Sequence, residues 1–239
     1  MKSVDFAEFN PVRERILDAL IKVSNGPRSR ARTILGVSER LDHEIDRNVE
    51  ARQAPCAPAG EIYTGVLYDA LEWSTLTAAQ RKRAGSRVAI ASALFGLLRP
   101  TDVIPAYRLS ADTTLPTIGT LRSAWSAIVP DAIRNAATRG IVLDLRSSAY
   151  MNLGPVPEDM AERTVVARVL QQRGSKRVVV SHHNKATKGR LVRSLLGVGR
   201  ITDIPDLTGV LGEAGYRVEL SPGRNDSSPW LIDVIVDDI

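Results

Sequence analysis

The sequence contains few of the residue types that build disulfide frameworks and metal centres. Its single cysteine, Cys56, excludes an internal disulfide, and no CxxC pair occurs. Histidine occurs only at His43, His182 and His183, which is too few for a His-rich metal site. Aromatic residues make up 5% of the chain, so the core is predicted to be mainly aliphatic. We therefore predict no metal site and no bound cofactor.

Long apolar runs and several familiar catalytic motifs are also missing. No segment approaches the roughly 20 apolar residues of a membrane-spanning helix. The first ten residues, MKSVDFAEFN, lack the apolar region of a signal peptide. The GxxxxGKS/T phosphate loop, the GxGxxG dinucleotide fingerprint and the GxSxG nucleophile elbow do not occur. We predict a cytoplasmic protein without membrane contact that belongs to none of these enzyme classes.

Positive charge is in modest excess and is carried mainly by arginine. The 239 residues include 32 Lys and Arg against 27 Asp and Glu, which gives a net charge of +5 and a pI near 9.6. Such a pI is typical of nucleic-acid-binding proteins. A charge of +5 on this length is nevertheless a weak field unless the charges cluster. Only six of the 32 cations are lysines, and two of them, Lys185 and Lys188, lie close together in one segment. This choice of lysine in an arginine-rich chain makes the segment a candidate for a specific role.

Helical signals dominate the first half of the chain. Apolar residues recur at helical spacing from Val12 to Val23, and Thr77 and Gln80 form a capping box before another helix. Residues 51–60, ARQAPCAPAG, have the composition of a linker. The predicted helices of this half cover residues 10–25, 28–35, 38–49, 78–84, 87–94 (with a strand as the alternative), 119–128 and 131–138, the last two broken at Pro130.

Strand signals dominate the second half. The predicted strands are β-branched runs bounded by Gly or Pro: Ile141–Leu145, Thr164–Val169, Lys176–Ser181, Tyr216–Leu220 and Leu231–Val236. Helices are predicted between them over Lys188–Leu196 and Asp206–Ala214. A helical first half followed by a β-rich second half predicts an α+β fold. The length suits one large domain or two small ones.

The most informative motif is KRVVVSHHNKATKGRLVR, residues 176–193. A buried strand is predicted to end in polar residues, and a helix is predicted to begin near Thr187, an arrangement that favours anion binding at the helix N-terminus. The alternative interpretation is a solvated basic helix face. Four cations lie within nine residues of this motif: Lys185, Lys188, Arg190 and Arg193.

A second motif extends from Phe95 to Leu109 and combines Gly, Pro, Arg, Asp and Tyr in a predicted loop. Loops of this kind often position functional groups. Arg99 and Arg108 can form forked hydrogen bonds with a phosphate or a carboxylate. The alternative is that each arginine is part of a structural pair, Arg99 with Asp102 and Arg108 with Asp112.

Two weaker motifs lie nearer the N-terminus. GEIYTG, residues 60–65, is a predicted turn in which Tyr63 supplies a ring for stacking and Thr64 a hydroxyl group. Around Gly36, a short helix, a tight turn and a second helix capped by Ser38 resemble a helix-hairpin-helix. In that motif, hairpin amides contact DNA phosphates without reading bases. Such helix pairs are common as packing units, so a packing role is the alternative.

The sequence contains four blocks in this order: EIYTG at 61–65, SALFGLLRPTD at 92–102 with PAYRL at 105–109, DLRSSAY at 144–150, and NKATKGRLVR at 184–193. Together these blocks resemble the YaaA family of bacterial peroxide-stress proteins. Their order and spacing are similar to the family's Tyr-Thr-Gly, Leu-Leu-Arg-Pro, Tyr-Arg-Leu and Lys-x-Ala-Arg-Gly motifs. The resemblance extends from about Asn10 to Arg193, most of the chain.

The resemblance implies a mixed α+β single-domain fold over residues 1–239, with a helix-hairpin-helix and a basic cleft. It also implies binding of duplex DNA in the cytoplasm and a role in limiting iron-driven oxidative damage. Gly36 and Ser38 would lie in the DNA-binding hairpin. By the same resemblance, the cleft would be lined by Lys185, Lys188, Arg99 and Arg108, with Tyr63 and Tyr150 nearby. Thr64, Arg190 and Arg193 are further candidates for binding DNA or an anion, from their own motifs.

Three differences from the family pattern bear on function. Family members usually begin with a strand and a Ser-Pro-Ala-Lys-type loop, so the N-terminus here is predicted to be divergent or truncated, without one wall of the cleft. Ala149 stands where the family has an acidic residue before Tyr150, a change that would abolish a carboxylate-dependent activity. Lys188 stands where the family has an arginine, which keeps the charge but loses the forked guanidinium.

An enzyme is the alternative to a DNA-binding protein. A nucleotide, nucleobase or other small anionic substrate would bind in the same cleft. Lys185 would then serve as nucleophile or base, with Asp102 or His183 as its proton partner. A structural or interaction module, which would bind neither ligand, finds little support in the sequence.

Overall fold

The computed structural model describes residues 4–174, 176–178 and 181–237, without the side chains of Arg173, Ser181, His182 and His183. The chain divides into two compact units. Unit 1 comprises Met1–Tyr63, Ala84–Ala132 and Arg146–Pro155, and unit 2 comprises Thr64–Arg83, Ile133–Leu145 and Val156–Ile239. Each unit is assembled from separate stretches of chain. The single-domain organisation implied by the family resemblance stays a prediction.

Helices occur in both halves of the described chain. In chain order, the α-helices are α1 (Asn10–Ser24), α2 (Arg28–Leu35), α3 (Asp42–Glu50), α4 (Ala59–Ile62), α5 (Val66–Leu71), α6 (Ala78–Arg87), α7 (Leu121–Trp125), α8 (Val129–Ala136), α9 (Ser148–Met151), α10 (Ser181–Gly197) and α11 (Ile204–Glu213). Short 3-10 helices cover Ala7–Phe9, Glu39–Leu41, Trp73–Thr75 and Glu158–Arg163. None of the described helices is both long enough and apolar enough to cross a membrane.

Strands form one larger sheet and several two-stranded sheets. In chain order they are β1 (Cys56–Pro58), β2 (Ile90–Ser92), β3 (Gly96–Leu98), β4 (Val103–Pro105), β5 (Thr114–Leu115), β6 (Gly119–Thr120), β7 (Val142–Asp144), β8 (Thr164–Arg173), β9 (Lys176–Val178), β10 (Arg217–Ser221) and β11 (Trp230–Val236). The antiparallel pairs are β1 with β4, β2 with β3, and β5 with β6. The larger sheet has the order β10-β11-β8-β7, and β9 also pairs with β8.

The larger sheet lies in unit 2 and is mixed in direction. Both β7 and β11 run parallel to β8, whereas β9 and β10 are antiparallel to their neighbours. Along β8, Val165, Ala167 and Val169 are buried and Arg168 is exposed, because alternate residues of a strand face opposite sides. The apolar cluster on the buried side is completed by α10, α11 and β11 through Leu191, Leu207, Leu211, Ile232 and Val234.

Unit 1 packs helices and a tight β-hairpin around aromatic rings. Ile16 and Leu20, one turn apart on α1, are fully buried. The hairpin of β2 and β3 turns at Gly96, whose φ is +75°. A Cβ atom at this position would lie 2.8 Å from the Trp125 ring and 2.9 Å from the Phe9 ring. Glycine is therefore required here both for the turn and for the close approach of the two rings.

The α+β class predicted from the sequence is confirmed. All five β-branched runs contain strands, β7 to β11, and together they build the larger sheet. Most of the predicted helices of the first half are also present. The capping box is confirmed as well, because Thr77 Oγ1 accepts the Gln80 amide at 3.2 Å and Gln80 Oε1 accepts the Thr77 amide at 2.9 Å.

Four segments of unit 1 and its borders differ from the prediction. Residues 87–94 contain the end of α6 and then β2, because this small apolar run pairs with β3 rather than continuing the helix. Residues 51–60 are not a linker, since they include β1, which pairs with β4. The predicted loop 95–109 contains two strands, β3 and β4. Pro130 lies in the first turn of α8, where proline is tolerated, rather than between two helices.

The basic segment also differs from the prediction. The strand β9 covers Lys176–Val178, and α10 already begins at Ser181 instead of near Thr187, so His182 and His183 are helical. Position 189 lies inside α10, and it is a glycine because α10 packs closely against α5 there. A Cβ atom on Gly189 would lie 2.1 Å from the carbonyl oxygen of Leu67. The close helix packing, and not a helix boundary, explains the glycine.

Candidate functional site

Three hydroxyl groups of unit 1 form a hydrogen-bonded chain. The Tyr107 hydroxyl lies 2.7 Å from Ser92 Oγ and 2.7 Å from the Tyr63 hydroxyl. Ser92 Oγ also accepts the Phe95 amide at 2.9 Å. Ser92 is 1% exposed, whereas Tyr63 is half-buried. The chain of hydroxyls therefore leads from the interior of unit 1 towards its surface.

Main-chain contacts bring these side chains together. The amides of Ala59 and Gly60 at the start of α4 donate to the carbonyl groups of Asp102 (2.7 Å) and Pro100 (2.9 Å). Tyr63 directly follows this anchored helix. The strand β1, which directly precedes α4, pairs with β4, and Tyr107 follows two residues after the end of β4.

Tyr150 and Arg108 lie beside this hydroxyl chain. Burial raises the pKa of Tyr150, the Arg108 guanidinium lowers it, and Asp112 raises it. Tyr150 also contributes to the raised pKa of Tyr107. The structure thus brings Tyr63, Arg108 and Tyr150 together around Tyr107. A guanidinium among phenol O–H donors is suited to binding an oxyanion.

Asn48 of α3 holds the backbone that carries Tyr107 and Arg108. Its side chain is fully buried. Asn48 Oδ1 accepts the Arg108 amide at 2.7 Å, and Asn48 Nδ2 donates to the Arg108 carbonyl at 2.9 Å. With both main-chain groups of Arg108 held, its side chain is exposed, while Tyr107 points into the hydroxyl chain. Asn48 therefore positions two site residues at once.

We expect Tyr107 to stay protonated well above the ordinary tyrosine pKa of 10.0, because burial raises its pKa. A group whose pKa is higher in the folded than in the unfolded state contributes its full stabilisation at pH values below the unfolded-state pKa. That contribution is lost as the pH rises through the folded-state pKa. The free energy of unfolding should therefore fall above about pH 10. Tyr107→Phe should remove part of this alkaline decrease, as measured by urea denaturation between about pH 8 and pH 11.

At neutral pH the free energy of unfolding of Tyr107→Phe should be lower than that of the wild type by about 1–2 kcal/mol. The reason is that the hydroxyls of Ser92 and Tyr63 lose their shared hydrogen-bond partner. Tyr63→Phe, which shortens the chain at its outer end, should lose less. If the free energy of unfolding of Tyr107→Phe fell with rising pH as steeply as that of the wild type, the alkaline loss of stability would not come from Tyr107.

Arg99 and Asp102 make structural contacts within unit 1. The Arg99–Asp102 contact is present, but through the main chain, because the Arg99 amide donates to Asp102 at 2.8 Å. Asp102 also accepts the Asp5 amide at 3.1 Å, and burial raises its pKa. The Arg99 guanidinium donates to the Val88 carbonyl at 3.1 Å and lies 5.1 Å from the centre of the Phe6 ring. Anion binding by Arg99 stays a prediction.

Gly36 and Ser38 lie in the turn between α2 and α3. Gly36 ends α2 with a φ of +62°. The amides of Gly36 and Val37 both donate to the Arg32 carbonyl, the second at 3.1 Å. The Arg32 guanidinium forms forked hydrogen bonds of 2.7 and 2.6 Å with Asp42 and so joins the two helices. Because two amides of the turn are already used, a DNA contact at this hairpin depends on other groups and stays a prediction.

The cations of the basic segment have different surroundings within unit 2. Lys185 and Arg190 are exposed and form no salt bridge within the described part of the chain. Arg193 instead donates to the carbonyl groups of Leu71 (2.9 Å) and Glu72 (3.1 Å) and lies 3.6 Å from the Glu72 carboxylate. The solvated basic face of α10 is therefore smaller than the sequence suggests.

Lys188 is buried on α10 and interacts with Asp144. The two residues are 7% and 4% exposed. Burial lowers the pKa of Lys188, and the Asp144 carboxylate opposes this shift. Asp144 is the last residue of β7, which runs parallel to β8. In sheets with parallel strands, ligands commonly bind outside the carboxyl ends of the strands.

Thr64 and His183 are the remaining predicted site residues. Thr64 is exposed and precedes Gly65, whose φ is +101°. The side chain of His183 lies outside the described residues. Among the side chains that are described, no group of three or more His, Cys, Asp or Glu is placed to hold a metal ion.

Four residues at these sites are not predicted from the sequence: Asn48, Ser92, Tyr107 and Asp144. Three of them lie inside the blocks that carry the family resemblance, so block membership is the signal that could have found them. Asn48 lies outside the blocks. Only its complete burial and its contacts with Arg108 identify its role.

The chain is similar over nearly its whole length to proteins of one family. A family model described as "Peroxide stress protein YaaA" matches residues 4–221. The chain belongs to the YaaA family. All the blocks between residues 61 and 193 lie within the matched region, so the YaaA resemblance is confirmed.

Relatives of this YaaA-family chain occur in several bacteria. A UPF0246 protein of Streptomyces coelicolor is 42% identical over 238 residues, which cover 99% of this chain and 91% of the relative. A UPF0246 protein of Corynebacterium efficiens is 40% identical over 232 residues, covering 95% and 89%. A UPF0246 protein of Corynebacterium glutamicum is 38% identical over 199 residues, covering 81% and 77%.

Proposed function

We propose that this YaaA-family protein binds duplex DNA without sequence specificity and thereby limits iron-driven oxidative damage during peroxide stress. The proposal is supported by the family and by the exposed cations of α10. Lys185 and Arg190 form no salt bridge among the described residues, so their charges are available for phosphates. Other arginines of unit 2 are already paired with carboxylates, as Arg168 is with Asp233 and Arg177 with Glu219.

A salt series tests the DNA contact directly. Phosphate contacts release counterions, so the logarithm of affinity should fall linearly with the logarithm of salt concentration, by roughly 0.9 per contact on duplex DNA. The double variant Lys185→Ala/Arg190→Ala should weaken binding uniformly across sequences and reduce the slope by about two. Fluorescence anisotropy with labelled duplexes of different sequence measures both quantities.

The matched control removes the same charge from paired arginines. Arg168→Ala/Arg177→Ala lowers the net charge equally but takes away cations that already contact Asp233 and Glu219. We expect this control to bind DNA nearly as the wild type does. Equal losses in the two double variants would show that net charge alone matters, and no binding by the wild type at low salt would refute the proposal.

The protective role needs a separate measurement. Plasmid DNA treated with iron(II) and hydrogen peroxide should be nicked less in the presence of the wild type than in the presence of Lys185→Ala/Arg190→Ala. Protection should disappear at salt concentrations that abolish binding. Equal protection by both proteins would contradict a mechanism through DNA binding.

A second candidate function, an enzyme acting on a small anionic substrate, is favoured by a different observation. Lys188 is buried beside Asp144 instead of lying on a solvated face. Buried amines of this kind recur at catalytic sites, because burial favours the neutral, nucleophilic form. Among the enzyme residues considered from the sequence, Lys185 is exposed and Asp102 accepts two main-chain amides. Lys188 is therefore the stronger candidate for the reactive amine.

A further inference from the structure

The buried face of α10 carries several polar groups in one row. Asn184, Thr187 and Lys188 are separated by three and four positions, so their side chains lie on the same side of the helix. Thr187 is 2% exposed and Lys188 is 7% exposed. Thr187 Oγ1 and Asn184 Oδ1 are buried without a hydrogen-bond partner among the described residues. Buried polar atoms normally have partners, so this face is suited to a polar ligand.

The packing of α10 holds this row in place. Gly189 follows Lys188 directly and lets α10 contact the backbone of α5 at Leu67. On the same side of α10, Leu191 belongs to the apolar cluster of the sheet. The polar row is therefore fixed by close contacts on its C-terminal side, which keeps Lys188 near the carboxyl end of β7.

We propose that Lys188 is the reactive amine of a site that binds small carbonyl compounds, with Asp144 as its proton carrier and with Asn184 and Thr187 orienting the ligand. This inference rests on the second candidate function. The Asp144 carboxylate already balances the charge of Lys188, so the pair lacks the net positive charge that would bind a phosphate. Attack on a carbonyl carbon requires only the neutral amine. The shift of the Lys188 pKa is in the direction that favours the neutral amine.

The reaction conserves atoms and charge without any further reactant. The neutral amine of Lys188 attacks the carbonyl carbon, and the C=O π electrons move to oxygen to give a carbinolamine after one proton passes from nitrogen to oxygen. Asp144 carries that proton and then a second one from nitrogen to the hydroxyl group. Water leaves, and a protein-bound imine remains. Lysine imines with carbonyl substrates are an established form of covalent catalysis.

Trapping with two small carbonyl compounds tests the proposal on the unmodified protein. The folded wild type is incubated with glyoxylate or with propionaldehyde and then treated with borohydride, which reduces an imine to a stable secondary amine. Peptide mass spectrometry then locates the adduct. We expect modification of Lys188 to exceed that of Lys185 by a rate ratio of about ten, which corresponds to about 1.4 kcal/mol of activation free energy.

Lys185 is an internal control, because it lies on the same helix and is exposed. Even labelling of the two lysines, or labelling of Lys185 alone, would overturn the proposal. Preference for glyoxylate would identify a carboxylate-bearing ligand, and preference for propionaldehyde a neutral one, both consistent with a carbonyl site. Asp144→Asn should reduce the Lys188 adduct and leave the Lys185 adduct unchanged, and equal adducts in wild type and variant would remove Asp144 from the mechanism.

The DNA proposal and this inference fail in different experiments. A protein that binds DNA but labels its lysines evenly contradicts the carbonyl site alone. A protein that forms the Lys188 adduct but does not bind duplex DNA at low salt contradicts the DNA proposal alone.

Discussion

Replacing Arg13 by methionine is expected to destabilise the protein by roughly 3–5 kcal/mol, because it leaves buried carbonyl groups without a donor. Arg13 is 0% exposed. Its guanidinium donates to the carbonyl groups of Phe95, Leu97 and Asp5, each at 2.9 Å. Burial lowers the pKa of Arg13 to about 10, and nearby carboxylates oppose the shift, so the group stays charged at neutral pH. Urea denaturation monitored by circular dichroism measures the loss.

Arg15→Met is the matched control for this prediction. Arg15 lies on the same helix, α1, but is exposed. Its replacement should change the free energy of unfolding by no more than about 0.5 kcal/mol. If the Arg13 and Arg15 variants unfold at the same urea concentration, the guanidinium of Arg13 does not hold the β2–β3 hairpin to α1 as described.

The second large effect is expected for Gly189→Ala, at about 3 kcal/mol of destabilisation. Alanine favours a helix over glycine by about 1 kcal/mol. Its Cβ atom would nevertheless lie 2.1 Å from the Leu67 carbonyl oxygen and 3.0 Å from Ala70 Cβ. The backbones of α10 and α5 would have to separate. Thermal unfolding should show a lower Tm, and the Lys188 adduct described above should also decrease.

Gly209→Ala provides the opposite expectation in the same unit. Gly209 is exposed within α11, and a Cβ atom there meets nothing within 4 Å. The substitution should therefore stabilise the protein by up to about 1 kcal/mol. Destabilisation at both positions, or at neither, would contradict the assignment of the Gly189 effect to contact with α5.

The success of the fold prediction depended on how local each signal was. The strands β7 to β11 were found because β-branched runs bounded by Gly or Pro encode them locally. The helix predicted over residues 87–94 was wrong because a short run of small apolar residues fits a helix or a buried strand equally well, and pairing with β3 decides. The start of α10 was misplaced because the polar residues after the predicted strand were placed outside the helix, whereas α10 already begins at Ser181.

The candidate sites show the same division. The sequence identifies Arg193 as a cation of a basic segment, but its partner Glu72 lies 121 positions away. It identifies Lys188 and Lys185 as similar lysines, but one is buried and the other exposed. Exposure and pairing depend on which distant segments meet, and neither periodicity nor composition contains that information.

By itself, the sequence determined the YaaA family membership, the α+β class and the positions of the main strands, because these depend on short blocks and local patterns. Only the tertiary structure decided which groups act together. It joined Ser92, Tyr107 and Tyr63 across 15 and 44 positions of sequence. It also turned Lys188 inwards, since a helix places residues on a buried or a solvated face only once it has packed against its neighbours.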